Sequence, residues 1–194
     1  LMINPQYMSG TGNNFLVSEY QNTKTDIEII SIVSDALFDI DGVIFVEKID
    51  SLTVKMHYYN NDGSTAELCV NGIRCVAKFA LDNSIVDSNE ITVVAPIGNI
   101  KTKVKENIVS LEVSIPTYEE NKLLIDGLEC IKSNIGNPHL LVEVENVDKF
   151  DLEEFVQKVY DTNSFENGVN VEIFNTFDKK IINARVYERG VGET

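Results

Sequence analysis

The chain has 194 residues, of which 43% are hydrophobic, and this is enough to build the core of one domain or of two small ones. Its formal net charge of −15 and its isoelectric point of about 4.4 argue against nucleic acid and anionic membranes as partners, because an acidic surface repels phosphate groups. No apolar run approaches the roughly 20 residues of a membrane span, and residues 1–5 do not resemble a secretory signal, so neither a membrane protein nor a secreted one is expected.

The first part of the chain predicts four strands and one helix. Apolar and alternating segments predict strands at residues 2–8, 15–17, 43–47 and 52–59. Thr25 and Glu28 are spaced as in a capping box and begin a helix that the apolar spacing continues to about Asp39. Gly10 and Gly12 lie in the turn between the first two strands. A phosphate-binding loop is not favoured there, because neither a GxGxxG spacing nor a Gly-Lys-Ser/Thr ending follows.

Residues 60–75 begin as an Asn-Asp-Gly turn and end as the start of a helix predicted from Cys69 to Asp82. The polar residues of this helix fall three or four apart on one stripe: Asn71, Arg74, Lys78 and Asp82. A helix that is apolar around the rest of its circumference is a buried helix, here one wrapped by a sheet. Cys69 lies at the helix N-terminus, where unpaired N–H groups can lower a thiol pKa from about 8.5 to roughly 3.5–7.5. The pattern therefore predicts a reactive thiolate.

Other interpretations of the cysteines remain open at this point. Inert core packing is the alternative for Cys69, because most buried cysteines are unreactive, and Cys75 is interpreted as core filler. A zinc site from Cys69, Cys75 and His139 lacks Cys-x₂₋₄-Cys spacing and a fourth ligand. A Cys–His nucleophile pair has no supporting local signature. With Cys130 the count is three, which does not suit a disulfide framework and favours a reducing cytoplasm.

The chain then predicts an antiparallel sheet and a boundary. Strands are expected at residues 90–95, 100–105 and 109–115, the middle one with its lysines toward water. Residues 116–122 are polar and aperiodic, so the chain is divided into halves 1–116 and 117–194.

The second half partly repeats the first. It predicts a helix from Asp151 to Tyr160 and strands at residues 140–144, 168–174 and 181–187. By symmetry a second core helix should follow residue 194, so the chain is expected to be truncated in its second half.

Polar residues next to these strands are further candidates. His139 follows a Gly-Asn-Pro turn, which suits a functional side chain as well as an ordinary turn histidine, whereas His57 inside a strand is expected to be structural or exposed. Arg189 could bind a carboxylate with two hydrogen bonds, and the alternative for Glu188 and Arg189 is a surface ion pair.

Four motifs together are more specific than any one residue. Residues 10–15 are similar to Gly-x-Gly-Asn-Asp-Phe, and residues 60–74 to Asn-x-Asp-Gly-Ser…Cys-Gly-Asn-Gly-x-Arg. Residues 136–139 match Gly-Asn-Pro-His, and residues 187–194 match Tyr-Glu-Arg-Gly-Val-Gly-Glu-Thr. In this order, and over the whole chain, the motifs resemble the diaminopimelate epimerase family.

The resemblance implies an α+β fold of two pseudo-symmetric halves, each a rolled, mainly antiparallel sheet around a central helix. It implies an isomerase of lysine and peptidoglycan-precursor biosynthesis that interconverts LL- and meso-2,6-diaminopimelate without pyridoxal phosphate or another cofactor. One thiolate would remove the α proton, and a thiol on the opposite face would return a proton. Cys69 matches the first of these cysteines. The second belongs to a motif expected just after Thr194, so the fragment is expected to be inactive.

The resemblance also assigns residues to the substrate. Its substrate-holding groups are the asparagine side chains, backbone N–H groups and one arginine: Asn13, Asn60, Asn137, Asn170, Val70, Asn71 and Arg189, with Glu188 beside them. His139 and Glu188 would help to set thiol protonation. Two positions depart from the family pattern, since Asn14 replaces the usual Asp and Val70 replaces the usual Gly. The Cβ of Val70 would narrow the carboxylate pocket.

Two alternatives to this function are kept. The first is a racemase of another amino acid on the same fold, acting on proline, hydroxyproline or histidine. The second is a non-catalytic remnant that binds amino acids. The expected partners are a small amino acid and, in a homodimer, a second copy of the chain.

Overall fold

The computed structural model describes residues 3–22, 24–65, 69–178, 180–190 and 192–193. The chain forms two compact units, Leu1–Val113 and Ser114–Thr194, and each has a hydrophobic core of its own. Within the described ranges, no helix combines the length and the apolar character needed to cross a membrane.

The first unit is one sheet of seven strands in chain order, joined by two helices. Its strands are β1 (Ile3–Gly10), β2 (Asn13–Glu19), β3 (Gly42–Lys48), β4 (Thr53–Asn60), β5 (Glu90–Ala95), β6 (Gly98–Lys105) and β7 (Ile108–Leu111). Helix α1 (Asp26–Ser34) connects β2 to β3, and helix α2 (Val70–Asp82) connects β4 to β5. These two strand pairs are parallel and the others are antiparallel, as expected when a helix makes the crossover.

Helix α2 is the centre of this unit. It contacts all seven strands, so the sheet curls around it. The apolar residues between its two end turns are buried, whereas the polar stripe with Asn71, Arg74 and Lys78 is only partly covered. The prediction of a buried helix wrapped by sheet is confirmed, and with it the α+β fold.

Strand β3 is buried on both faces because a helix covers each side of the sheet. Ile44 and Val46 belong to the core around α2, whereas Val43 and Phe45 pack with Ile29 of α1. This explains why five successive residues of β3 are buried and why its sequence does not alternate.

Helix α1 begins at the predicted capping box and ends earlier than predicted. Thr25 is its N-cap, and the helix stops at Ser34 rather than near Asp39. The N–H of Ala36 donates to Val33 in a tightened last turn, and the N–H of Leu37 donates to the hydroxyl of Tyr7 at 2.6 Å. The backbone therefore leaves the helical ladder, and Leu37 is 81% exposed.

Replacing Thr25 with alanine should lower the free energy of unfolding by about 1 kcal/mol. The Thr25 hydroxyl accepts from the N–H of Glu28 at 3.3 Å, and the N–H of Thr25 donates to the Glu28 carboxylate at 2.9 Å. Only the first of these bonds is lost in Thr25→Ala. Urea denaturation measures the change, and Thr25→Ser is the matched control because it keeps the hydroxyl. An equal loss in both variants would contradict the capping role.

The second unit is also a seven-stranded sheet with one crossover helix. Its strands are β8 (Thr117–Tyr118), β9 (Leu123–Ile125), β10 (Leu128–Asn134), β11 (Pro138–Glu143), β12 (Asn170–Asp178), β13 (Ile181–Glu188) and β14 (Gly192–Glu193). The main order is β14-β13-β12-β11-β10-β8, with β9 also paired to β10. Helix α3 (Leu152–Asp161) connects the parallel strands β11 and β12, and it buries the four residues predicted from its apolar spacing: Leu152, Phe155, Val156 and Val159.

The run β10-β11-α3-β12-β13 repeats the connection pattern of β1-β2-α1-β3-β4, which is the predicted internal similarity. Strands β8, β9 and β10 were not predicted. Strand β7 ends at Leu111 instead of Ile115, and Ile115 is 89% exposed, so the apolar alternation at its end does not face a core.

Candidate functional site

Cys69 is the N-cap of helix α2 and presents its sulfur to the first helical turn. Its backbone is extended, with φ −138° and ψ 95°. The N–H of Gly72 donates to Sγ at 3.2 Å, while the Cys69 carbonyl accepts from the N–H of Ile73 at 3.0 Å. The side chain is half-buried. An N–H donor and the helix N-terminus both favour a thiolate at this position.

Two backbone donors lie next to this sulfur. Among the described residues, no acceptor is assigned to the N–H groups of Val70 and Asn71 in the first turn of α2. The first turn also carries no acidic residue. Helix N-termini of this kind favour an anion, because N–H groups point outward at the positive end of the helix dipole.

Gly72 allows the helix and the thiol to pack closely. A Cβ at Gly72 would lie 2.8 Å from Cε of Met56, 3.1 Å from Cδ1 of Ile44 and 3.3 Å from Sγ of Cys69. Because Gly72 has no side chain, the sulfur of Cys69 can pack against the first turn of α2.

A chain of hydrogen bonds orients two of the predicted asparagines. Nη1 of Arg74 donates to Oδ1 of Asn71 at 2.7 Å, and Nδ2 of Asn71 donates to Oδ1 of Asn13 at 2.8 Å. Because a guanidinium can only donate, the amide oxygen of Asn71 must face Arg74 and its NH₂ group must face Asn13. The Thr11 hydroxyl also donates to Oδ1 of Asn71, at 2.8 Å, and Nδ2 of Asn13 donates to the carboxylate of Asp41 at 3.4 Å. The amide of Asn13 is thereby oriented with its oxygen toward Asn71 and its NH₂ group toward Asp41.

Asn60 lies at the end of β4, where a turn holds its side chain. Nδ2 of Asn60 donates to the hydroxyl of Ser64 at 2.9 Å, and this hydroxyl donates to Asp62 at 2.6 Å. The hydroxyl and N–H of Ser64 lower the pKa of the Asp62 carboxyl. Asn60 is also the register partner of Gly42 at the start of β3. The predicted Asn-Asp-Gly turn is confirmed, and it fixes the asparagine.

The other two cysteines are structural, and no disulfide links any of the three cysteines of the chain. Burial raises the pKa of the Cys75 thiol to about 12 and that of the Cys130 thiol to about 11. Cys75 is 3% exposed, so its interpretation as core filler is confirmed. Thiols of this kind stay protonated and unreactive near neutral pH.

The histidine outside the candidate site has a structural environment. Nε2 of His57 lies 2.7 Å from Oε2 of Glu47, and its ring stacks on Tyr20 at 4.2 Å between centroids. This agrees with the expectation that His57 is structural.

The second unit brings its predicted residues together at the starts of β11 and β12. His139 and Asn170 are direct register partners in the parallel pair. Nε2 of His139 lies 2.8 Å from Oδ1 of Asn137, and Nδ1 lies 2.6 Å from Oε1 of Glu172. The Gly-Asn-Pro-His turn therefore brings the side-chain oxygen of Asn137 within hydrogen-bonding distance of the His139 imidazole.

Arg189 and Glu188 close the same end of the sheet. The N–H of Arg189 donates to Oδ1 of Asn170 at 2.9 Å, and its Nη1 donates to the carbonyl of Asn167 at 2.7 Å. Gly168, at φ +73°, leaves room for this side chain, because a Cβ there would lie 2.8 Å from Cδ of Arg189. Glu188 ends β13 and is half-buried. In the part of the chain that is described, no group of His, Cys, Asp and Glu residues is arranged to hold a metal ion.

Sequence reasoning gave no site role to several residues of these networks, among them Thr11, Asp41, Arg74 and Glu172. Thr11 and Asp41 occupy turns, where polar residues are common, so neither has a distinctive signal. Glu172, in contrast, had a usable sequence signal. It lies two positions after Asn170 in a strand, on the face opposite the buried Val171 and Ile173.

Comparison with known proteins places this geometry in context. The family model for diaminopimelate epimerase matches residues 6–115. The diaminopimelate epimerase of Methanococcus maripaludis strain S2 is 33% identical, over 96% of this chain and 76% of the relative. That of Thermotoga maritima is also 33% identical, over 94% of this chain and 75% of the relative.

Solved structures show the same fold at low sequence identity. A hydroxyproline epimerase from Agrobacterium vitis, with bound trans-4-hydroxy-L-proline, has a TM-score of 0.70 at 12% identity and covers all of this chain and 73% of that one. A PhzF-family phenazine biosynthesis protein from Bacillus anthracis has a TM-score of 0.67 at 18% identity, with 100% and 75% coverage.

Proposed function

The chain belongs to the diaminopimelate epimerase family, and we propose that its gene product interconverts LL- and meso-2,6-diaminopimelate without pyridoxal phosphate or a metal ion. The family is one of isomerases that act on a small amino acid. The observation that carries the proposal is the position of Cys69, whose sulfur accepts the N–H of Gly72 beside the N–H groups of Val70 and Asn71, for which the described residues provide no acceptor. We extend the proposal to a cytoplasmic homodimer.

The first half of the reaction is a proton transfer to sulfur. The thiolate of Cys69 takes the proton from Cα, so that a C–H bond breaks, an S–H bond forms and the electron pair stays on the substrate. That pair delocalises into the substrate carboxylate. The N–H groups of Val70 and Asn71 receive this carboxylate and stabilise the charge that develops on it, which is the role of a preorganised oxyanion site.

The second half needs a proton donor on the opposite face of Cα. Among the described residues, the remaining thiols do not suit this role, because Cys75 and Cys130 are buried and their pKa values are raised to about 12 and about 11. We propose that a second cysteine, outside these 194 residues, returns the proton.

The polar residues hold the rest of the substrate. The four asparagines bind its ammonium and distal groups without adding net charge: Asn13, Asn60, Asn137 and Asn170. Arg189 offers the bidentate geometry that suits a carboxylate. His139 and Glu188 help to set the protonation of the reacting thiols. The oriented amides of Asn13 and Asn71 support this assignment, because fixed dipoles do not have to reorganise during the reaction.

Val70 favours one alternative function, a racemase that acts on a smaller amino acid. Its Cβ lies at the first position of α2, next to the proposed carboxylate donors, where the family pattern has Gly. A narrower pocket suits a smaller substrate. A racemase of proline or hydroxyproline is therefore the second candidate function.

With the protein from the complete gene in deuterated water, we expect epimerisation of LL-2,6-diaminopimelate with deuterium at the inverted Cα. Turnover of proline, hydroxyproline and histidine should be slower, and the Val70→Gly variant should have a lower KM for diaminopimelate because the pocket widens. Mass spectrometry and chiral chromatography measure both results. Faster turnover of any other amino acid would overturn the substrate assignment, and absence of all exchange would favour a binding remnant.

A further inference from the structure

The imidazole of His139 has a different kind of partner on each ring nitrogen. Nδ1 lies 2.6 Å from the carboxylate oxygen Oε1 of Glu172, and Nε2 lies 2.8 Å from the side-chain oxygen of Asn137. A carboxylate can only accept a hydrogen bond, so the Nδ1 that faces it carries a hydrogen. The amide of Asn137 can accept with its oxygen or donate with its NH₂ group. It is therefore compatible with Nε2 in either protonation state.

The register of the parallel strands brings this carboxylate to the histidine. His139 is opposite Asn170, and Leu141 is opposite Glu172, so all four side chains share one face of the sheet. The opposite face carries Leu140, Val142, Val171 and Ile173, which form the core with α3. Glu172 is thus an ionisable residue held at a fixed position in a well-packed strand.

The burial of Glu172 is costly for a residue with only a structural role. Its side chain is 17% exposed, and its second oxygen, Oε2, is buried without a hydrogen-bond partner among the described residues. An unsatisfied buried carboxylate oxygen destabilises the fold. The His57–Glu47 pair has a similar distance of 2.7 Å, but Glu47 is 33% exposed and can be solvated. The two pairs therefore differ in the desolvation of the carboxylate.

We propose that Glu172 is a positioning residue that holds the hydrogen on Nδ1 of His139 and thereby makes Nε2 the nitrogen that gains and loses a proton. This inference rests on the proposed function for the acid–base role of His139. A carboxylate that fixes the tautomer of a histidine and stabilises its protonated form is a general device of acid–base catalysis.

Among the described residues, the hydrogen-bond partner of Nδ1 is Glu172. Ser133 of β10 is the register partner of His139, and its hydroxyl donates to the carbonyl of Thr117. Glu188 ends β13 and Arg189 follows it, and the N–H of Arg189 donates to Oδ1 of Asn170. Glu172 is the carboxylate in direct contact with the imidazole.

Nitrogen NMR of histidine tests the assignment in the protein from the complete gene. With ¹⁵N-labelled histidine, and at a pH that leaves the ring with one hydrogen, His139 should show a protonated Nδ1 and an unprotonated Nε2. Replacing Glu172 with alanine should shift the ring to the Nε2–H tautomer that isolated histidine prefers, whereas Glu172→Gln, whose amide oxygen can still accept, should retain part of the Nδ1–H form. A His139→Gln variant assigns the signals by their loss.

Kinetics of the same variants give the functional readout. Glu172→Ala should lower kcat for epimerisation by about 10²-fold, the lower end of the range for an acid–base group, with KM unchanged. Glu172→Gln should lie between the wild type and Glu172→Ala. Glu47→Gln, at the His57 pair whose carboxylate is less buried, is the matched control and should leave kcat unchanged.

An Nε2–H tautomer in the wild type would overturn the assignment, as would an unchanged Nδ1–H tautomer or an unchanged kcat in Glu172→Ala. Because the spectrum does not depend on turnover, a wild type that lacks epimerase activity would refute the proposed function and leave the histidine assignment to be decided by the spectrum.

Discussion

Replacing Cys69 with alanine in the protein from the complete gene should lower the rate of epimerisation by about 10³-fold or more, because the variant has no group that can take the α proton on that face. The substrate carboxylate would still meet the N–H groups of Val70 and Asn71, so binding of diaminopimelate should change much less than kcat. Chiral chromatography of the product measures the rate, and calorimetry measures binding. Retained epimerisation would refute the role of Cys69 as a base.

Cys75→Ala is the matched control for this experiment. Cys75 lies in helix α2, six positions after the N-cap Cys69, and its buried thiol stays protonated because its pKa is raised to about 12. Its loss should lower the free energy of unfolding by about 1–2 kcal/mol through a small cavity and leave kcat near the wild-type value. A large loss of kcat in Cys75→Ala would mean that the reactive thiol has been assigned to the wrong position in α2.

Replacing Gly10 with alanine should lower the free energy of unfolding by about 3 kcal/mol, the upper part of the usual range for overpacking. A Cβ at this position would lie 2.5 Å from the carbonyl oxygen of Asn71 and 3.1 Å from Sγ of Cys75. The first contact is with backbone, so α2 itself would have to move away from β1. That displacement would also disturb the bond from Asn71 to Asn13 and lower activity in the folded fraction.

Gly12→Ala separates steric exclusion from backbone strain. Gly12 has φ +100°, where a side chain is strained, but a Cβ there would meet nothing within 4 Å. We expect a loss of about 1 kcal/mol, which is the usual difference between glycine and another residue in the left-handed region. Urea denaturation of the two variants gives the comparison, and a smaller loss for Gly10→Ala than for Gly12→Ala would contradict the packing argument.

The parts of the fold that sequence predicts well are those in which one local rule decides the structure. Helix α2 is specified by a single polar stripe, and the start of α1 by the Thr25–Glu28 capping box. Strand β6 alternates buried residues with exposed lysines and was predicted for the same reason.

The parts that were missed depend on contacts between distant segments. Helix α1 ends early because the hydroxyl of Tyr7, about thirty positions away, takes the N–H of Leu37. Strands β8 and β9 have two and three residues, too few for a period to be visible. Glu172 reaches His139 only through a parallel register between strands that are separated by α3, so the local pattern could mark Glu172 but could not reveal its partner.

The chain order of strands in the first unit has a consequence for how this unit acquires its structure. Each strand from β1 to β7 pairs with the next one along the chain, so most of the sheet can form from contacts of short sequence separation, which are the fast ones in folding. Packing of α2 involves longer sequence separations, because this helix contacts β1 and β7, the two edge strands of the sheet. The close approach of Gly10 to Asn71 belongs to these long-range contacts. The surroundings of Cys69 therefore depend on contacts between distant segments of the unit as well as on the pairing of neighbouring strands.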